Sequence, residues 1–247
     1  MVSGLHPFRT HRIGLALSGG SVRGLAHIGV IKVLSEAGIR PAFVTGTSAG
    51  SLIGAMLAAG MDWREIASLA RSVFWPKLLH GETLRRFCAE HLPARFDDLK
   101  LPFAAMATEI PHKRPLILAN GELASAISAS CAMRAIRRPV SREGRLLKDG
   151  GIACVLPAEA CRALGAEIIV GSDVWEISSF LRSVNMSPVD PRAQHAYPSH
   201  YRSALSHTDL LIRPRIPFAG YWPGSAAIDR MISAGERATL YALDQLR

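Results

Sequence analysis

Apolar residues fall along this chain in short continuous runs separated by helical stripes. Ile13-Gly-Leu-Ala-Leu-Ser18 is a run of strand length ending at glycines, and between Gly24 and Gly38 the apolar positions Leu25, Ile28, Ile31 and Leu34 share one helical face before a glycine stop. This predicts strand, glycine-rich turn and helix. Pro41-Ala-Phe-Val-Thr45 runs into Gly46, and the Ala- and Leu-rich stretch Ala49 to Ala59 follows, so the same order occurs again. Two such units within 60 residues predict a mostly parallel sheet in an α/β fold.

The alternation continues downstream. Helices are expected over Asp62 to Phe74, Glu82 to His91 and Glu122 to Met133, and strands over Phe103 to Thr108 and Leu116 to Ala119. Leu146-Leu-Lys148 leads into Asp149-Gly-Gly151, and a helix from Pro157 to Leu164 has proline at its start and Gly165 at its end. Glu167 to Gly171 reads as a buried strand, Thr208 to Arg213 as the last strand, and Ala226 to Leu246 as a long final helix. Between Glu176 and Ser206 the chain turns polar and carries Pro188, Pro191 and Pro198, which marks a surface excursion and a candidate lid. We divide the chain into an N-terminal tail, 1–11, and one domain, 12–247.

Composition narrows the function classes. At 247 residues and 49% hydrophobic content the chain can bury a substantial core. No segment approaches the roughly 20 apolar residues that span a bilayer, and the N-terminus lacks the apolar run of a secretory signal, so the expectation is a cytoplasmic protein. Cys88, Cys131, Cys154 and Cys161 form no Cys-x-x-Cys pair, and neither zinc nor a disulfide framework is indicated. No metal and no cofactor are expected. The net charge of +9 favours anionic partners such as the inner face of a membrane, although 24 of the 29 basic residues are arginine and most are scattered. The exception is the basic run Arg134, Arg137, Arg138, Arg142, Arg145 and Lys148. No nucleic acid is expected, because no recognised module or aromatic-interleaved basic stripe occurs.

Three motifs carry candidate chemistry. Gly46-Thr-Ser-Ala-Gly50 fits the nucleophile-elbow pattern at a strand-to-helix turn, which would set Ser48 near a helix N-terminus where developing negative charge is favoured. By itself it is equally a glycine-rich turn holding an ordinary serine. Ser18-Gly-Gly-Ser-Val-Arg-Gly24 also joins a strand to a helix, and its backbone N–H groups suit an anion, whether phosphate or oxyanion. It lacks both the first glycine of a dinucleotide fingerprint and the Gly-Lys-Ser/Thr of a P-loop. Asp149-Gly-Gly151 lies 101 residues after Ser48, with a basic run before it and a helix start after it.

In this order the motifs resemble the patatin-like phospholipase family, in particular its small bacterial members. The likeness runs through Ile13 to Ile31, Gly46 to Gly50, Ala107-Thr-Glu109, Ala129-Ser130, Asp149-Gly-Gly151, Leu164 to Val170 and Thr208 to Pro214. The resemblance implies a three-layer α/β/α fold and a lipid acyl hydrolase with a serine-aspartate dyad. Ser48 would be the nucleophile and Asp149 its base. Gly19 and Gly20 would offer N–H groups to the oxyanion together with Ala49, and Arg23 would buttress the glycine loop. Gly24, Gly46, Gly50, Gly150 and Gly151 would support the motifs. Where the family has a Pro-Gly-type turn after Ala-Ser, this chain reads Cys131-Ala-Met-Arg-Ala-Ile-Arg-Arg138. Arg134, Arg137 and Arg138 are therefore candidate ligands for a phosphate-bearing head group, with a solvated loop as the plainer alternative.

Other readings compete. His195, His200 and His207 follow Asp149 in the chain order of a Ser-Asp-His hydrolase, but they sit in the polar segment expected at the surface. His27 is expected to be a packed histidine. An inert lipid-binding adaptor on the same fold, and a thioesterase or general carboxylesterase, remain as alternatives. Trp75, Phe218, Tyr221 and Trp222 are candidates for an acyl channel or for core packing.

Overall fold

Every residue of the first strand is buried, which sets it in the middle of a sheet covered on both faces. A computed structural model of the chain describes residues 7–73, 78, 81–133, 137–175, 196–216 and 224–246. Its strands are β1 (Ile13–Leu17), β2 (Phe43–Thr47), β3 (Phe103–Ile110), β4 (Arg114–Leu118), β5 (Val140–Arg142), β6 (Arg145–Asp149), β7 (Ile168–Ser172) and β8 (Leu210–Ile212). They form one eight-stranded sheet in the order β5-β6-β3-β2-β1-β7-β8, with β4 paired to β3. The central pairs β3/β2, β2/β1, β1/β7 and β7/β8 are parallel, while β4, β5 and β6 enter antiparallel.

The helices are α1 (Pro7–Thr10), α2 (Ala26–Glu36), α3 (Ala49–Ala58), α4 (Trp63–Ser72), α5 (Gly81–His91), α6 (Leu123–Ser130), α7 (Ala158–Ala163), α8 (Ser199–Ser206) and α9 (Ser225–Asp244). Period-two alternation divides the core: Leu15 and Leu17 face the main apolar cluster with α2, α3 and α9, whereas Ala16 faces a smaller cluster with Leu156, Cys161 and Ala204 of the α7/α8 side. The result is three layers, helices on both faces of the sheet. Helices α2 and α9 cross in close contact, since a Cβ on Gly29 would lie 1.9 Å from the Ile232 carbonyl oxygen and one on Gly235 2.0 Å from that of Ala26. α4 starts with a capping box in which Asp62 accepts from the N–H groups of Arg64 and Glu65 and Glu65 returns a bond to Asp62 N–H.

Several expected elements differ in extent. The helix expected from Gly24 opens earlier, as a 3₁₀ turn over Ser21–Leu25 that continues into α2. Val140–Arg142 pairs with β6 as a hairpin that no apolar run announced, because its three residues are Val, Ser and Arg. The last strand contracts to three residues, and the helix expected from Glu122 to Met133 stops at Ser130. Within the expected polar excursion the final part is helix α8, with Tyr201 and Ala204 buried; residues 176–195 lie outside the described residues, as do Trp75, Phe218, Tyr221 and Trp222. Cys88 and Cys161 are buried, and Cys131 and Cys154 half-buried, all as free thiols. Among the described residues no helix is long and apolar enough to cross a membrane.

Candidate active site

Strand register brings Ser48 and Asp149 together. Ala105 of β3 pairs with Gly46 on one edge and Leu118 of β4 on the other, so β2 and β4 flank β3. Ala107 pairs with Leu116 of β4 and with Asp149, so β6 occupies the same edge of β3 as β2. β2 ends at Thr47, opposite Met106, and β6 arrives antiparallel and ends at Asp149, opposite Ala107. The two strands meet end to end along one edge of β3, and the next residue of the first faces the last residue of the second. Gly150 makes this junction feasible, because a Cβ there would lie 2.3 Å from the Met106 carbonyl oxygen.

The turn at Ser48 is strained and tightly held. Its φ of 52° lies in the left-handed region, unusual for a serine and a mark of functional turns. Its carbonyl accepts from Ser51 N–H at 2.8 Å and from the Ser51 hydroxyl at 2.6 Å, and its own N–H donates to Ser130 Oγ at 2.9 Å. The flanking glycines are fixed by close approach: a Cβ on Gly46 would lie 2.3 Å from the Gly50 carbonyl oxygen, and one on Gly50 would lie 2.3 Å from that of Leu17.

The Ser48 hydroxyl donates to Asp149 Oδ2 at 2.8 Å, and the other carboxylate oxygen accepts from Gly151 N–H at 2.8 Å. Both residues are buried, with 6% and 8% of their surface exposed. Burial pushes the Asp149 carboxyl above its usual range, opposed by the Gly151 and Ser48 hydrogen bonds and by the charges of Arg137 and Lys148. A carboxylate so placed is a stronger base than one in water. No described histidine bonds to either residue. His27 is fully buried between Ser172 Oγ at 2.7 Å and the Ser18 carbonyl at 3.0 Å, His207 turns to the Ser203 carbonyl, and His195 lies outside the described residues.

The glycine loop packs beside this pair. A Cβ on Gly24 would lie 2.5 Å from that of Ala49, so the 3₁₀ turn rests against the start of α3. Arg23 donates through Nε to the Val174 carbonyl at 2.9 Å, and Val174 N–H donates to Ser18 Oγ at 2.8 Å. The expected donors divide: Gly19 N–H is engaged by the Val155 carbonyl at 3.0 Å, whereas the N–H groups of Gly20 and of Ala49, the first residue of α3, have no partner among the described residues. Gly19 thus differs from the sequence expectation because its amide completes the link to the Val155 loop.

A cleft opens over Ser48 and Ala49, walled by Val22, Leu25, Leu52, Ile53, Leu78 and Leu84. Its free volume is about 50 Å³. Arg137 lines it while donating to the Cys131 carbonyl at 3.1 Å and Ser128 Oγ at 2.8 Å. Of the two described, Arg137 lines the cleft and Arg138 is exposed; Arg134 lies outside the described residues. Among the described residues no cluster of His, Cys, Asp or Glu could hold a metal ion.

Three residues gain their roles only from the fold, although two of them, Thr108 and Ser130, lie in segments that carry the family likeness. Ser130 holds the Ser48 amide, and Thr108 Oγ1 donates to the Asp149 carbonyl at 2.8 Å; both follow from pairings distant in sequence. Buried Asp173 accepts from the Tyr201 hydroxyl and from Arg213 Nε at 3.1 Å, and anchors the Val174 strap that holds Arg23. Any of these would need a three-dimensional neighbour to be recognised.

A model of the family described as patatin-like phospholipase matches residues 15–162, a span that includes the glycine loop, Ser48 and Asp149. Lysophospholipase NTE1 of Yarrowia lipolytica is 33% identical over 182 residues, covering 67% of this chain and 13% of that protein. Patatin-like phospholipase domain-containing protein 6 of Mus musculus is 33% identical over 181 residues, 66% of this chain and 13% of that protein. An uncharacterised NTE family protein of Mycobacterium tuberculosis is 31% identical over 179 residues, 64% of this chain and 48% of that protein. The chain therefore spans a small part of the first two relatives and about half of the third. Among solved structures, VipD from Legionella pneumophila superposes with a TM-score of 0.65 at 15% identity, over 95% of this chain and 67% of that one. The type III effector protein ExoU gives 0.54 at 15% identity, over 95% and 53%. At that identity both speak for the fold alone.

Proposed function

The chain belongs to the patatin-like phospholipase family, and we propose that it is a serine acyl hydrolase that cleaves carboxylic esters of lipids with a Ser48–Asp149 dyad. The observation that carries this reading is the hydrogen bond from the Ser48 hydroxyl to buried Asp149, 2.8 Å long, at the floor of an apolar cleft. In the first half-reaction Ser48 Oγ adds to the ester carbonyl carbon as its proton passes to Asp149 Oδ2, and the carbonyl electron pair moves onto oxygen. The N–H groups of Gly20 and Ala49 stabilise that oxyanion, with the start of α3 adding its dipole. Collapse breaks the bond to the alcohol, which leaves with the proton held by Asp149. Water repeats the sequence on the acyl-enzyme: its proton goes to Asp149, the acid is released, and Ser48 recovers its hydrogen.

The apolar walls suit an acyl chain, and Arg137 at the rim suits a phosphate-bearing head group, which it can meet with donors not directed at Cys131 and Ser128. The net charge of +9 further favours approach to an anionic membrane surface. Because the similar Yarrowia protein is named a lysophospholipase, lysophosphatidylcholine is the substrate to test first, with a p-nitrophenyl ester as a small reference. Purified protein should hydrolyse both, and Ser48→Ala should fall to background. Equal rates in the two proteins would overturn the proposal.

A further inference from the structure

Ser21 carries two energetic penalties that glycine would avoid. It sits in the glycine loop directly after Gly20 with φ at 54°, in the left-handed region that L side chains rarely adopt. Its Oγ is buried and has no hydrogen-bond partner among the described residues. A buried hydroxyl without a partner is destabilising, and exceptions of this kind cluster at functional sites. Glycine at position 21 would remove both penalties, and the two residues before it are already glycine.

The location says what the hydroxyl serves. Ser21 lines the same cleft as Ser48 and Ala49, whose other walls are apolar apart from Arg137. Its 3₁₀ turn packs on the start of α3 through the Gly24–Ala49 approach, and Ser21 and Ala49 line the cleft together. Arg23, in the same turn, is directed away to the Val174 carbonyl. Ser21 thus places an unpartnered neutral donor in the wall of the cleft, one residue after the Gly20 amide assigned to the oxyanion.

We propose that Ser21 is a further catalytic residue, whose hydroxyl donates a third hydrogen bond to the oxyanion formed when Ser48 attacks an ester. The proton stays on Ser21 throughout; only the Ser48 proton moves, to Asp149 and then to the leaving alcohol. This inference rests on the acyl-hydrolase reading, and its signature separates it from a structural role: removing the hydroxyl should weaken catalysis while the fold gains stability.

The test compares wild type with Ser21→Gly and Ser21→Ala, with Ser48→Ala as the inactive control, using p-nitrophenyl butyrate kinetics and thermal melts. Both Ser21 variants should lose about 100-fold in kcat, the lower end for one oxyanion donor, with KM within about twofold. Ser21→Gly should melt about 2–4 °C higher than wild type. Wild-type kcat in both variants, or a loss confined to KM, would overturn the assignment. A lower melting temperature for both variants would do so independently, by showing that the hydroxyl has a structural partner. If wild type hydrolysed no better than Ser48→Ala, the acyl-hydrolase reading would fail first, and the melts would still judge whether the hydroxyl is an unpaired burden.

Discussion

His27 couples the glycine loop to pH. Its ring lies wholly inside the protein, and burial pushes its pKa from 6.5 down to about 4. The Ser18 carbonyl can only accept, so Nε2 carries the hydrogen and Nδ1 accepts from the Ser172 hydroxyl. The fold therefore holds the neutral ring. As pH falls below 6.5 the unfolded chain takes up a proton that the folded chain refuses until about 4, so stability declines across that window and is unaffected above it. At 1.36 kcal/mol per pH unit the loss approaches about 3 kcal/mol, a large share of the 5–15 kcal/mol typical of a domain. For a chain of this length it corresponds to about 6–12 °C in Tm. Thermal melts of wild type and His27→Gln between pH 7 and pH 4 check this, because shared carboxylate titrations cancel in the difference. Glutamine can still donate to Ser18 and accept from Ser172, so its Tm should fall less with acid by about the stated amount. Parallel curves for the two proteins would refute the reasoning.

Asp149→Asn should lower kcat by about 10²- to 10⁴-fold, the range for loss of a general base. It should also melt higher than wild type at pH 7, because burial raises the Asp149 pKa and the ionised form is destabilising there; the advantage should shrink as pH falls and the wild-type carboxyl takes its proton. Gly20→Val adds a Cβ that would lie 2.7 Å from Val174 Cγ2 and 3.1 Å from its carbonyl oxygen, so the loop must shift; ester hydrolysis should drop about 100- to 1,000-fold. Ser130→Ala leaves the Ser48 N–H buried without its acceptor and should cost about 1–3 kcal/mol in urea unfolding. Arg137→Ala should reduce kcat/KM for lysophosphatidylcholine more than for a p-nitrophenyl ester, measured side by side; an equal change in both would remove Arg137 from head-group recognition.

Much of the fold was legible because continuous apolar runs mark strands buried on both faces, as at Ile13–Leu17, and the helical stripe after Gly24 marks α2. The β5–β6 hairpin was not, since Val140–Arg142 gains its pairing from its neighbour rather than from apolar content. Ser48 and Asp149 could be singled out by motif, but their approach depends on two strands sharing one edge of β3, a property of register that local patterns do not encode. The engagement of Gly19 N–H by Val155, and the support from Ser130 and Thr108, likewise arise from residues about 40 to 140 positions away in sequence. The arginine run was visible as charge, yet sequence alone could not separate Arg137, held at the cleft by Cys131 and Ser128, from exposed Arg138.

The claim that Ser48 is an activated nucleophile is tested most directly by treating the folded protein with a fluorophosphonate acyl analogue and mapping the adduct by peptide mass spectrometry. The account predicts a single stoichiometric adduct on Ser48, abolished in Ser48→Ala and strongly slowed in Asp149→Asn. Folded protein that stays unlabelled, or labelling on another residue that persists in Ser48→Ala, would contradict it.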